Sequence, residues 1–168
     1  MEQRDGVDTI MQEWARAQPA LDVSPMAIVG RVSRLSRHFE RSISLSLGSL
    51  QLHPWEFDVL ATLYRADPPH RLTPTELFRS MMVTSGTMTH RIDRLENASL
   101  VVRHRDPRDR RGVLVQLTDA GRELVEKAVA THVDNERRLL APLTRREQQQ
   151  LADLLRKLLL QFESSDRR

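Results

Sequence analysis

The sequence predicts a mainly α-helical fold carrying one small β-hairpin. Three observations predict it: apolar residues recur at helical spacing along most of the chain, Ser/Thr and Pro cap signals punctuate those segments, and two β-prone runs flank a Pro- and Gly-containing turn near residues 101–117. At 168 residues and 39% apolar composition, the chain can bury one compact core or two small lobes sharing a helical spine.

The elements follow in order. Val7, Ile10, Met11 and Trp14 fall at i, i+3, i+4 and i+7, which predicts a short amphipathic helix ended by Pro19. Ser24-Pro25 then supplies an N-cap with proline in the first turn of a long helix reaching about Leu47, along which Ile28, Val32, Leu35, Phe39 and Ile43 keep helical spacing. His53-Pro54 opens an apolar helix through Tyr64, and Asp67-Pro68-Pro69 breaks it. Thr73 and Glu76 form a capping box for a helix of about two turns. Thr84-Ser85-Gly86 reads as a second cap and turn, leading into a helix that runs to about Asn97. These last two segments make a helix-turn-helix pair.

Val101 to Arg105 and Val113 to Leu117 are strands around a turn containing Pro107 and Gly112. A hairpin placed directly after such a helix is a wing. Thr118-Asp119 caps a helix to about Leu140, and Thr144 with Glu147 caps the last one, which carries Leu151, Leu154, Leu155, Leu158 and Phe162 on one stripe. A lobe this small has little to cover that stripe, so a second copy of the chain is expected to do so. The expected organisation is residues 1–50 as N-terminal dimerisation helices, 51–118 as a winged helix-turn-helix lobe and 119–168 as C-terminal dimerisation helices.

Charge narrows the function. The net charge is only +3, but Arg103 to Arg111 holds five arginines against Asp106 and Asp109, so this segment by itself carries +3. Focused charge of this kind suits a polyanion. The absence of cysteine removes disulfides and thiolate metal sites and agrees with a reducing compartment. No basic leader with an apolar run opens the chain, and no apolar stretch is long enough for a bilayer; a cytoplasmic protein with no membrane partner is expected. A glycine-rich phosphate loop and a nucleophile elbow are absent, and the six histidines show no ligand-pair spacing, so neither an enzyme nor a metal or other cofactor is expected.

On the helix to Asn97, Met88, Ile92 and Leu95 define the buried face, leaving Gly86, Thr89, His90, Asp93 and Asn97 opposite, with Thr87 and Arg94 on a flank. Ser85, Thr87, Thr89, His90 and Arg94 are the expected DNA contacts of this helix, because small hydroxyls and an imidazole near a helix N-terminus can reach base edges in a major groove. Arg108, Arg110 and Arg111 crowd the turn beyond what Asp106 and Asp109 can neutralise, which suits phosphate or minor-groove contact. Asp109, two residues before Arg111, can brace the loop. The competing reading is a helical dimerising adaptor that offers the basic hairpin to an acidic protein.

These residues resemble the MarR family of bacterial winged-helix regulators from about Met26 onward. The likeness is carried by Arg94-Leu95-Glu96 through Leu100-Val101, by Arg103 and Asp109-Arg110-Arg111, and by Leu117-Thr118-Asp119-Ala120-Gly121 through Leu124. It implies a homodimeric transcriptional repressor that binds a pseudo-palindrome in double-stranded DNA, with half-sites about one helical turn apart. One departure stands out: the family usually has glycine where this chain has Ser99. A narrower resemblance is to the urate-responsive, PecS-like branch, which adds an N-terminal helix with a tryptophan, matched by Trp14. It implies an effector site of Trp14, Asp58, Arg91 and Arg103 for a small anionic aromatic such as urate, xanthine or a phenolic acid. The spacing supports this in part, since Arg91 occupies a slot in the otherwise apolar set Met88, Ile92 and Leu95 and so needs a carboxylate or an anionic ligand. A plain structural ion pair between Asp58 and Arg91 is the alternative.

Overall fold

A computed structural model describes residues 4–68, 70–81, 85–107, 109 and 112–165. Their elements run α1 (Gly6–Ala17), α2 (Ser24–Gly48), α3 (Pro54–Tyr64), β1 (Arg71–Leu72), α4 (Pro74–Met81), α5 (Ser85–Asn97), β2 (Val101–Arg105), β3 (Val113–Leu117), α6 (Asp119–Leu139) and α7 (Arg145–Ser165). Among these described residues no helix is long and apolar enough to cross a membrane.

Local chemistry sets the element ends. Asp5 caps α1 by accepting from the backbone N–H groups of Val7 and Asp8 at 2.7 and 3.0 Å, and the Asp8 carboxylate accepts in turn from the Asp5 N–H at 2.9 Å. The same two carboxylates take Arg31 of α2 at 2.8 and 2.6 Å, which docks α1 along α2. The expected Ser24 cap is corrected: Ser24 is already helical, Val23 is the N-cap without a side-chain bond, and Asp22 Oδ1 accepts the Ser24 N–H at 2.9 Å. The boxes at Thr73/Glu76 and Thr144/Glu147 form as expected, with the threonine N–H groups donating to the glutamates at 2.7 Å in both. Hydrogen bonds from the Thr144 hydroxyl and N–H hold the Glu147 carboxyl below its ordinary range.

The sheet has three antiparallel strands in the order β1-β3-β2 rather than two. The hairpin pairs Val101 with Leu117 through Arg105 with Val113, and β1 adds Arg71 opposite Gln116 and Leu72 opposite Val115. Two residues carry no period-2 pattern, so β1 leaves no sequence signal; it is recruited by the free edge of β3. Leu47, Leu60, Leu63, Leu77, Met88, Ile92, Leu95, Val101, Val115 and Val125 are fully buried and join the helix-turn-helix, the sheet and α6 in one core. Outside that core, α2 and α7 present apolar surface: Ile28, Val29, Leu154 and Phe162 are 62%, 68%, 63% and 66% exposed.

Candidate nucleic-acid interface and effector site

Helix α5 is seated as its pattern requires. Met88, Ile92 and Leu95 are buried, while Thr89, His90, Arg94 and Asn97 are exposed and Asp93 is half-buried. Ser85 and Thr87 lie in the helix, but their side chains fall outside the described residues, as do Arg108, Arg110 and Arg111 of the wing turn. The turn itself closes through Asp106 N–H donating to the Gly112 carbonyl at 3.0 Å and Gly112 N–H donating to the Asp109 carbonyl at 2.8 Å. A side chain at Gly112 would meet the Asp106 Cβ at 2.8 Å, so this position needs glycine.

The end of α5 is fixed by a Schellman turn: Leu100 N–H donates to the Leu95 carbonyl at 2.9 Å and Ser99 N–H to the Glu96 carbonyl at 2.8 Å. Ser99 takes φ of 58°, the left-handed conformation that explains a glycine preference here. Its carbonyl accepts the Thr118 hydroxyl at 2.7 Å, and Thr118 N–H donates to the Leu100 carbonyl at 3.1 Å. Helix α5, the wing and the start of α6 therefore meet at one corner.

Arg103 reinforces that corner. Its guanidinium donates to Asp93 Oδ1 at 2.6 Å and makes a second, very short pair with Glu96 Oε2, while its backbone N–H donates to Glu96 Oε1 at 3.1 Å. Burial opposes its charge, but the Asp93 and Glu96 bonds outweigh burial and raise its pKa. Strand β2 is thus bolted to the face of α5. Sequence reasoning missed Asp93 and Glu96 as a pair; their i, i+3 spacing on the α5 flank nearest β2 is the one local signal they carry.

Among the described residues, no hydrogen bond, ion pair or ring contact joins the other expected effector residues to Arg103. Asp58 sits on the exposed side of α3, yet burial of its carboxyl by surrounding protein is the largest influence and raises its pKa against the opposing charges of Arg91, His132 and Arg65. Asp58 and Arg91 are near enough to feel one another's charge, but no ion pair joins them among the described residues. The Arg91 guanidinium instead lies 5.5 Å above the ring centre of Trp55, and Arg94 lies 5.1 Å from the same ring and 3.7 Å from Glu56. In the sequence Trp55 stands out only as one apolar residue of its helix. Trp14 is 37% exposed on α1, and no ring contact joins it to Arg91 or Arg103 among the described residues. Near Asp58, His132 packs its ring 4.7 Å from Phe57 and bonds Glu136 at 3.2 Å, and Asn135 accepts from the Ser42 hydroxyl at 3.0 Å.

Comparison with known proteins agrees with this architecture. The MarR family description matches residues 52–113. The transcriptional regulator PecS of Dickeya dadantii is 39% identical over 89% of this chain and 90% of its own length. Among solved structures, a cysteine-to-serine mutant of Escherichia coli MarR complexed with operator DNA superposes with a TM-score of 0.71 at 29% identity, covering 82% of this chain and 96% of that one. Bordetella bronchiseptica BpsR, whose DNA binding is described as regulated by 6-hydroxynicotinic acid, superposes at 0.69 with 25% identity over 78% of this chain and 91% of that one. With 39% identity to such a regulator over 89% of this chain and the family description matched across the helix-turn-helix, the chain belongs to the MarR family of winged helix-turn-helix transcriptional regulators.

Proposed function

We propose that this chain is a ligand-responsive repressor that binds a pseudo-palindromic DNA site as a homodimer and is released by a small anionic aromatic effector such as urate. The observation that carries the DNA half is the bolt between Arg103 and the carboxylates of Asp93 and Glu96, which holds helix and wing as one rigid reading unit. Thr89, His90 and Arg94, with Ser85 and Thr87 at the start of α5, face the major groove; Arg108 and Arg110 reach phosphate or minor groove, and Asp109 with Arg111 braces the turn. Residues 51–118 form the reading lobe. Residues 1–50 and 119–168 form the dimerisation region, consistent with the exposed apolar stripes of α2 and α7. The operator complex of a MarR relative supports the same use of the lobe here.

For the effector, Arg91 is the central group: it carries a positive charge beside Asp58 without an ion pair to it, so an anion can compete for it. Arg103 would have to exchange a carboxylate for the ligand, which would loosen the bolt and so transmit binding to α5. Trp14 would close over the ring of the ligand from the dimerisation helices. The likeness to BpsR, whose DNA binding is described as regulated by 6-hydroxynicotinic acid, supports an aromatic acid in this role.

A mobility shift on the DNA upstream of its own gene, with and without urate, salicylate and xanthine, tests both halves. A specific, salt-sensitive shift relieved by one of these anions is expected. No specific shift on that DNA refutes the regulator reading, and an undiminished urate response in Arg91→Ala refutes the effector site.

A further inference from the structure

We propose that Trp55 is a positioning residue for DNA binding: its ring holds the Arg94 guanidinium in place for a phosphate of the DNA backbone. The proposal rests on the DNA-binding reading above and adds a residue that neither the motif nor the family likeness assigned.

The geometry is specific. Trp55 stands in the first turn of α3 and is partly buried against the core, so its ring is fixed by the scaffold. Arg91 and Arg94, three residues apart on α5, both bring their guanidinium carbons over this ring, at 5.5 and 5.1 Å from its centre. The His53 ring lies nearly parallel to that of Trp55, 6.5 Å away centre to centre at 9°. Two like charges three apart on a helix repel one another. Among the described residues one carboxylate, Glu56, stands 3.7 Å from Arg94, and no side-chain hydrogen bond or ion pair involves Arg91. Asp58 feels the charge of Arg91 without pairing with it, so in this cluster the ring face of Trp55 is the contact that both guanidinium groups share.

Exposure separates the two arginines. Arg91 is half-buried, whereas the Arg94 side chain is 62% exposed. Arg94 is thus the more solvent-accessible of the two arginines on this ring, and it lies one helical turn from the exposed His90 on α5. An unrestrained arginine gives up rotamer freedom when it meets phosphate; one already resting on a fixed ring has given up much of it beforehand.

The test compares full-length wild type with Trp55→Leu, Trp55→Phe, Arg94→Ala and the Trp55→Leu/Arg94→Ala double variant. Each is titrated by fluorescence anisotropy against the DNA fragment that wild type shifts specifically, over a salt series, after its melting temperature has been recorded. Trp55→Leu is expected to weaken binding about threefold to tenfold, while Trp55→Phe, which keeps an aromatic face, stays within about twofold. The slope of log affinity against log salt should fall by about 0.9 for each phosphate that is no longer neutralised, so by nearly two per dimer in Arg94→Ala, and by a smaller amount in Trp55→Leu, where the charge remains but is no longer held in place. On the Arg94→Ala background, Trp55→Leu should have no further effect. Wild-type affinity and slope in Trp55→Leu, or an equal weakening with and without Arg94, overturns the proposal while leaving the DNA-binding reading intact. If Arg94→Ala itself binds as wild type, the phosphate role of Arg94 falls and the proposal with it.

Discussion

Replacing Gly121 by alanine should break the corner on which recognition helix, wing and α6 converge. A Cβ built at Gly121 lies 2.0 Å from the Leu100 carbonyl oxygen and 2.9 Å from its carbon, both backbone atoms that cannot rotate away. Relief requires α6 and the start of β2 to separate by about 1 Å, since non-bonded carbon and oxygen do not approach within about 3 Å. That movement strains the Thr118 N–H bond to the Leu100 carbonyl at 3.1 Å and the Thr118 hydroxyl bond to Ser99 at 2.7 Å. Two such bonds at about 1 kcal/mol each, with about 1–3 kcal/mol of overpacking, give a loss of about 3–5 kcal/mol. Urea denaturation followed by circular dichroism, at one fixed protein concentration so that any self-association is the same in both proteins, measures it; in a thermal scan the melting temperature should fall by about 10 °C. Gly48→Ala is the control. Beyond its chain neighbours and the backbone of its own helix, no atom lies within 4 Å of a Cβ there, and alanine is the better helix former, so its stability should be unchanged or slightly higher. A loss below about 1 kcal/mol at Gly121, or an equal loss at Gly48, refutes the close approach as the cause.

Four further outcomes are expected. Ser99→Gly should stabilise the protein by about 0.5–1 kcal/mol, because glycine takes φ of 58° without steric cost; a lower melting temperature contradicts this. Arg103→Ala should cost about 1–2 kcal/mol and weaken specific DNA binding more than non-specific binding, since Asp93 and Glu96 lose their shared cation and β2 its tie to α5; equal weakening on both DNAs argues against a reading unit. Asp58→Asn should raise stability at neutral pH. Because burial raises the Asp58 pKa, the folded chain holds that proton more tightly than the unfolded chain, so wild-type stability falls as pH rises from the ordinary carboxylate range through the raised value and levels off above it; the variant should lack that fall in a pH series of denaturation curves. Leu158→Asp with Phe162→Asp should yield monomers in analytical ultracentrifugation, as both side chains lie at least half exposed on the α7 stripe of a single chain.

Much of the fold is legible in local chemistry. The cap pairs Thr73/Glu76 and Thr144/Glu147, and Thr118 before α6, fall where the helices begin, and both wing strands span Val101–Arg105 and Val113–Leu117 as their β-branched runs suggest. The exception at Ser24 follows from Asp22, two residues upstream, which supplies the bond that Ser24 does not. Strand β1 escapes because Arg71–Leu72 is defined by its pairing with β3 and not by its own pattern.

The site is legible in its residue types and less so in their partners. The apolar slot of Arg91 signals a need for compensation, but no spacing says that the ring of Trp55, and not an ion pair with Asp58, supplies it. Arg103 likewise is expected near a ligand, and its contacts to Asp93 and Glu96 depend on strand β2 folding back beside α5.

The sequence by itself determined the periodic faces, the caps, the basic turn and the family, because each depends on residues within a few positions of one another or on the order of motifs along the chain. Tertiary structure alone decided which cation meets which carboxylate or ring, and why Gly121 admits no side chain. Those facts depend on the approach of backbones far apart in sequence, and no local pattern encodes that distance.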